Sequence, residues 1–235
     1  MTSAGLTELR EFFAQCREMD ASLNERLALY SQGVRKFLPP YAAAVDGLIQ
    51  RLNAAGAGGN APQPGELMPP FVLPDETGQL VSLEELLQSG PVAVTFHRGH
   101  WCPWCRISIN ALVRVSVEIK KAGGQVVAIM PDRQKFAAEF KREAGSPFPV
   151  LTDMDNGYAL SLNLAIWLGP ELEGLLSSYG RALPDYHGND AWTLPIPATF
   201  VVAPNGTIRA RFVDPDFRRR MAVEELVDAL KAARG

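Results

Sequence analysis

Apolar residues recur every seven positions at Leu9, Cys16, Leu23 and Tyr30, with Leu6, Phe13 and Leu27 beside them. That spacing is the stripe of a helix face. Pro39-Pro40 interrupts it, and a second stripe follows at Tyr41, Val45, Leu48 and Leu52. The pattern predicts two or three helices, packed on each other or on a main domain. Residues 54–70 are dense in glycine and proline, which marks a linker. The expected organisation is a helical N-terminal extension over residues 1–55, a linker over 56–63 and a main domain over 64–235.

Beyond Pro64 short apolar runs alternate with helical stretches. Phe71–Leu73 and Leu80–Ser82 flank a Glu76-Thr77-Gly78 turn, and Ser82 with Glu85 forms a capping-box signal. The runs at 91–96, 125–130 and 149–152 have the length and composition of buried central strands. A helix is expected from Asp132 to about Gly145, and a closing helix through Val223, Leu226, Val227 and Leu230. The runs at 198–203 and 207–213 enclose Pro204-Asn205-Gly206, and Asn-Gly is a strong hairpin signal. Such alternation implies an α/β fold whose sheet is largely parallel, with an antiparallel strand from the terminal hairpin. Residues 164–195 break the alternation and read as an insertion with a short helix near Leu172–Ser178. Residues 107–119 alternate like a strand, with Ile107, Ile109, Ala111, Val113, Val115, Val117 and Ile119 on one parity. The cysteine pair just before them favours a helix instead.

Composition narrows the picture little. The 23 basic and 26 acidic residues give a net charge of −3, and the densest basic run, Arg218-Arg219-Arg220, is short. It reads as a solvated approach to the last helix, so nucleic acid is not an expected partner. No run reaches the ~18 apolar residues of a membrane helix, and the first residues carry no basic-then-apolar leader. A cytoplasmic protein is the expectation.

The candidate chemistry lies in Arg98-Gly99-His100-Trp101-Cys102-Pro103-Trp104-Cys105. Two cysteines three apart at a helix start bring their sulfurs within reach of a disulfide. The first sulfur also lies by the unpaired amides of the helix end, which favour its thiolate. Arg98, His100 and Arg106 are candidates to lower its pKa further. Pro103 suits the first helical turn, and Trp101 would cover the sulfur. Thiol–disulfide exchange at an exposed helix mouth follows, one cysteine attacking and the other resolving. The pair could equally reduce a peroxide by way of a sulfenic acid. Two other readings stand beside these: an inert buried pair, and half of a zinc site. The zinc reading lacks a second ligand pair, since His97 and His100 are too close in sequence for ordinary ligand spacing. Neither a metal nor a cofactor is expected. The three histidines, His97, His100 and His187, read as surface or turn residues, and Cys16 as a small buried apolar residue.

From Pro64 to about Ala233 the chain resembles the peroxiredoxin-like branch of the thioredoxin superfamily, the alkyl hydroperoxide reductase and thiol-specific antioxidant group. The resemblance rests on Pro64-Gly65, Pro70-Phe71-x-Leu73 and Gly78, on Arg98-Gly99-x-Trp101-Cys102-Pro103-x-Cys105, on Ile196-Pro197-Ala198-Thr199-Phe200, and on Val213-Asp214-Pro215-Asp216-Phe217. It implies a thioredoxin-like fold, a mixed central sheet flanked by helices, and a thiol-dependent oxidoreductase. Matched to peroxiredoxins, the peroxidatic cysteine is Cys105, the preceding hydroxyl position is Cys102, the family's proline falls on Arg98 and its late arginine near Pro197. Matched to thioredoxins, Cys102 is the nucleophile, Cys105 resolves, and Pro197 is a cis-proline shaping the substrate groove. The resemblance also implies a thiol, disulfide or peroxide as substrate, and a thiol reductant such as thioredoxin or glutathione. Three hypotheses follow: an oxidoreductase attacking through Cys102, a thiol peroxidase acting through Cys105, or a redox-inert binding or assembly module. The N-terminal stripe allows a homodimer, although the same face could cover the main domain.

Overall fold

Local capping chemistry starts several helices where the sequence signals lie. The computed structural model describes residues 3–234. Its first part is three helices, α1 (Ser3–Glu18), α2 (Leu23–Phe37) and α3 (Pro39–Ala54). Ser22 caps α2, its hydroxyl accepting from the Glu25 N–H while Glu25 accepts from the Ser22 N–H. Each bond satisfies an amide that the helix leaves orphaned. Pro39 and Pro40 open α3, where a missing N–H costs nothing.

The Gly/Pro-rich stretch after α3 runs in close turns along the sheet. Arg211 donates to the carbonyls of Gly58 and Ala61 at 3.1 and 3.0 Å. Strands β1 (Val72–Pro74) and β2 (Leu80–Ser82) form the expected small hairpin, and Ser82 caps α4 (Leu83–Leu87) through a second capping box. The chain then passes through β3 (Val92–Phe96), α5 (Pro103–Arg114), α6 (Ser116–Lys121), β4 (Gln125–Met130), α7 (Gln134–Ala144) and β5 (Val150–Thr152). Gly145 ends α7 in the left-handed conformation that glycine adopts freely. A 3-10 turn at Met154–Asn156 leads to α8 (Gly157–Ser161). The insertion comprises β6 (Ala165–Trp167), α9 (Pro170–Ser178), α10 (Leu183–His187) and β7 (Thr193–Pro195). The antiparallel pairing of β6 with β7 closes its base. Strands β8 (Ala198–Val202) and β9 (Ile208–Val213) and helix α11 (Val223–Ala232) complete the chain.

The central sheet has the order β5-β4-β3-β8-β9, parallel across β5, β4 and β3 and antiparallel from β3 through β8 to β9. This is the mixed sheet of a thioredoxin-like α/β fold. Alternation along the strands divides the core. Val92, Val94, Phe96, Val127, Ile129 and Phe200 face one side with Phe71 and Ile196. Ala93, Val126, Ala128, Met130 and Val201 face the other, beneath α5, α11 and the N-terminal helices.

Residues 107–119 are helical, in α5 and α6, with a break at Val115. Their strand-like alternation has a packing cause. Helix α5 lies between the sheet and the N-terminal helices, so Ile107, Ser108, Ile109, Ala111 and Leu112 are all buried, and its apolar surface is wider than one stripe. The N-terminal stripe faces this helix. Tyr30 meets Trp104 edge-on at 4.9 Å, Trp104 meets Phe217 at 5.1 Å, and the Trp104 indole N–H donates to Ser31 Oγ at 3.0 Å. Aromatic contacts of this kind contribute about 0.5–1.5 kcal/mol each beyond area burial. Beside them Arg26 of α2, 1% exposed, donates to the carbonyls of Cys16 and Arg17 and to Asn110 Oδ1 of α5.

One expectation about the backbone fails. Among the described residues every peptide bond is trans, so Pro197 is not a cis-proline. Pro195 through Ala198 carries β7 directly into β8 as extended chain, with the Ile196 N–H bonded to the Leu164 carbonyl. Trans is the lower-energy isomer of an X–Pro bond, so an extended crossing favours it. Alternation from Thr199 and Val201 places the buried Pro197 on the sheet face that carries α5.

Candidate active site

Strand β3 ends at Phe96, and six residues, 97–102, turn the chain into α5. Gly99 makes the turn possible. Its φ is +139°, and a Cβ there would lie 2.6 Å from both Asp132 Oδ1 and Trp101 Nε1. Only glycine occupies such a position without strain. Asp132, fully buried after β4, accepts the His100 N–H at 2.7 Å, and the Cys102 N–H bonds back to the Gly99 carbonyl. Cys102 is then the N-cap of α5 and Pro103 its first residue, so Cys105 falls at the third helical position.

Both thiols are free and both are 0% exposed. The sequence-based expectation of an exposed helix mouth is therefore corrected. The pair does sit at the helix start, but α1, α2, α3 and Trp101 pack in the same core over it. Cys16 is likewise 0% exposed, and burial raises its pKa, as suits an inert apolar filler.

The surroundings of the pair are cationic. The Arg98 backbone N–H donates to Cys105 Sγ at 3.2 Å, and the Arg98 guanidinium lies 3.9 Å from Cys102 Sγ. The Arg220 guanidinium lies 3.8 Å from Cys105 Sγ. Burial alone would push the Cys102 pKa up. The Cys105 thiol, the Arg98 charge and the Cys105 backbone N–H outweigh it and hold Cys102 at about 6, against an ordinary 9.0. Cys105 moves the other way, raised by burial and then by donating to the Cys102 thiolate. The pair thus holds one negative charge near neutrality, on Cys102, with Cys105 as the proton-bearing partner.

Arg220 is the residue that reading the sequence misses. The run Arg218-Arg219-Arg220 is not uniformly solvated, as its charge density suggests. Arg218 pairs with Asp216 and Asp46, both at 2.7 Å, and Arg219 with Asp214 at 2.7 Å. Arg220 turns inward, 6% exposed, held by the carbonyls of Phe217 and Arg219, while its backbone exchanges bonds with Asn24 of α2. The available signal was its setting, Phe217 three residues before and Met221 immediately after, both buried.

Two groups expected to act on Cys102 are engaged elsewhere. His100 Nε2 and the Arg106 guanidinium face Glu143 Oε2 at 3.3 and 2.5 Å, so both side chains are directed at that carboxylate. Two histidines expected at the surface are buried. His97 shares a hydrogen bond with Thr95 Oγ1 at 3.1 Å, and burial lowers its pKa to about 3, leaving it neutral. His187 of α10 lies 3.4 Å from Asp132 Oδ1, tying the insertion to the cysteine loop. Among the described residues no group of three or more His, Cys, Asp or Glu side chains could hold a metal ion, and no helix is long and apolar enough to cross a membrane.

Comparison with known proteins bears on this site. Peroxiredoxin Q of Sedum lineare chloroplasts is 34% identical over 92 residues, 39% of this chain and 49% of that protein. Peroxiredoxin Bcp of Escherichia coli K12 is 32% identical over 92 residues, 39% of this chain and 58% of that protein. The chain thus spans about half the length of the curated relatives it matches. Peroxidoxin BcpB from Mycobacterium tuberculosis superposes with a TM-score of 0.57 at 20% identity, over 74% of this chain and 99% of that one, and so shares the fold. The profile of the AhpC/TSA family matches residues 64–211, from the segment after the N-terminal helices into β9. This match takes in more than half of the sequence and both cysteines, and the chain belongs to the AhpC/TSA family.

Proposed function

We propose that the protein is a thiol-dependent oxidoreductase in which Cys102 attacks and Cys105 resolves. The observation that carries this reading is the set of positive groups and N–H donors around Cys102 Sγ, which favours its thiolate. With a disulfide substrate, the Cys102 thiolate attacks one sulfur and expels the other as a thiolate. The Cys105 thiol then loses its proton and attacks Cys102, releasing the second substrate sulfur and closing the Cys102–Cys105 disulfide. With a hydroperoxide, Cys102 takes the terminal oxygen, an alcohol or water leaves, and the sulfenic acid condenses with Cys105 to the same disulfide plus water. Two equivalents of a thiol reductant return the pair to the dithiol.

A second reading keeps the family's alignment, with Cys105 peroxidatic. It is favoured by the Arg98 N–H and the Arg220 guanidinium, both aimed at Cys105 Sγ. Single-cysteine variants separate the two. Cys105→Ser is expected to retain a thiol alkylated rapidly near neutral pH, and Cys102→Ser to lose it. The opposite result would transfer the attacking role to Cys105.

A further inference from the structure

A cleft of about 350 Å³ opens beside the cysteine loop, within the size range of small-molecule sites. Trp101 and Pro103, the two neighbours of Cys102, form part of its wall. His100 and Arg106 of the cysteine loop and α5 add to it, and the remainder comes from elements outside the minimal thioredoxin-like core. Helices α1 and α2 contribute Arg10, Phe13 and Tyr30, and the insertion contributes Tyr179, Arg181 and Tyr186. Among the described residues no acidic side chain lines it. Arg106, also in the wall, is offset by Glu143. Arg10 and Arg181 have no ion pair or side-chain hydrogen bond among the described residues, although one stands on α1 and the other follows α9. Tyr179, a third wall residue, carries a buried hydroxyl with no hydrogen-bond partner among the described residues.

Two uncommitted guanidinium groups in an aromatic cleft are complementary to an anion with an apolar or amphipathic body. Trp101 and Pro103 place part of its wall on either side of Cys102 in sequence, while the sulfur itself is fully buried. We infer that it is a recognition site for the carboxylate of a small co-substrate of Cys102. Two sources share that chemistry: a carboxylate-bearing thiol that reduces the pair, and a carboxylate-bearing organic hydroperoxide that oxidises it. The inference rests on the oxidoreductase reading for its chemistry, but the binding it requires can be measured without turnover.

S-methylglutathione and laurate serve as non-reacting probes, followed by quenching of tryptophan fluorescence. At least one is expected to bind the wild-type chain at least about tenfold more tightly than its ester, a difference of about 1.4 kcal/mol. The variant with Arg10→Gln and Arg181→Gln is expected to lose that preference while keeping the wild-type circular dichroism spectrum. Esters and acids binding alike in the wild type, or an unchanged preference in the double variant, overturns the inference. The two half-reactions then assign the source. A preference for glutathione over its diethyl ester, which carries no free carboxylate, in reducing the disulfide identifies the thiol. A preference for linoleate hydroperoxide over its methyl ester in oxidising the dithiol identifies the peroxide. Discrimination in neither half-reaction refutes delivery to Cys102. A pair that hydrogen peroxide and neutral thiols cannot cycle refutes the oxidoreductase reading instead, and leaves the probe result to stand alone.

Discussion

Replacing Arg98 by methionine tests the electrostatic origin of the reactive thiol. The guanidinium lies 3.9 Å from Cys102 Sγ, and both residues are at most 2% exposed. Two unit charges ~4 Å apart interact by about 4 kcal/mol at an effective dielectric of ~20 and about 1 kcal/mol in water. At ~1.36 kcal/mol per pKa unit, this brackets the Arg98 contribution between about one and three units. With the Cys105 N–H and thiol unchanged in the variant, the Cys102 pKa is expected to rise from about 6 into the range of about 7–9. The fraction of thiolate at pH 7 would fall from about nine tenths to between roughly half and one hundredth. The assay is the pH dependence of iodoacetamide alkylation at Cys102, read by peptide mass spectrometry, with Arg98→Lys as the charge-retaining control. The lysine variant is expected to hold most of the depression. A methionine variant that is folded by near-ultraviolet circular dichroism, yet titrates within a few tenths of the wild type, would refute the argument. The same shift has a thermodynamic signature. The folded pKa of Cys102 lies below its unfolded value, so the thiolate stabilises the fold above about pH 9, and this contribution is lost as pH falls through about 6. Three units correspond to at most about 4 kcal/mol, measured as the difference in unfolding free energy between wild type and Cys102→Ser across that window.

Three further outcomes follow from the geometry. Arg220→Met removes the cation 3.8 Å from Cys105 Sγ, which leaves the Cys105 thiol harder to ionise. Rapid-quench trapping is expected to show slower disulfide closure, with a smaller change in the Cys102 titration than Arg98→Met gives; an unaltered closure rate would exclude Arg220 from the resolving step. Gly99→Ala places a methyl 2.6 Å from Asp132 Oδ1 at a φ of +139°, and denaturant unfolding should register a loss of at least ~1–3 kcal/mol from backbone strain. Trp104→Phe deletes the bond to Ser31 Oγ, at a cost of about 1 kcal/mol. A double-mutant cycle with Ser31→Ala should recover most of that as coupling, and a zero coupling energy would show that the bond contributes nothing.

The strands and caps were legible because their signals are local. Ser82 with Glu85, Asn205-Gly206 and the apolar runs at 92–96 and 125–130 each determine a conformation through neighbours in sequence. The cysteine pair was legible for the same reason. Residues 107–119 were harder, since a helix covered on two sides loses its one-sided stripe and shows an apolar residue at alternate positions. What escaped the sequence depends on long-range packing. Arg220 is 115 residues from the thiol it faces, and its inward turn is set by α2 through Asn24. The burial of both sulfurs is likewise supplied by helices more than fifty residues upstream. Local spacing could place Cys102 at a helix end, but it carried no information about which other segment would lie over it.

The buried guanidinium of Arg26 constrains how the molecule can respond to oxidation. It ties the end of α1 and the body of α2 to Asn110, halfway along α5. Displacing that half would strand a cation inside the protein, a cost of several kcal/mol. The turn from Cys102 to Cys105 is held instead by bonds to its own sulfurs, the Arg98 N–H on Cys105 and the Cys105 N–H on Cys102, which closing the disulfide alters. Rearrangement on closing the disulfide is therefore concentrated between Gly99 and Arg106, with the far half of α5 acting as a fixed post. The strain released or stored by the redox step stays next to Trp101 and Pro103, so the wall of the adjoining cleft would sense the oxidation state directly.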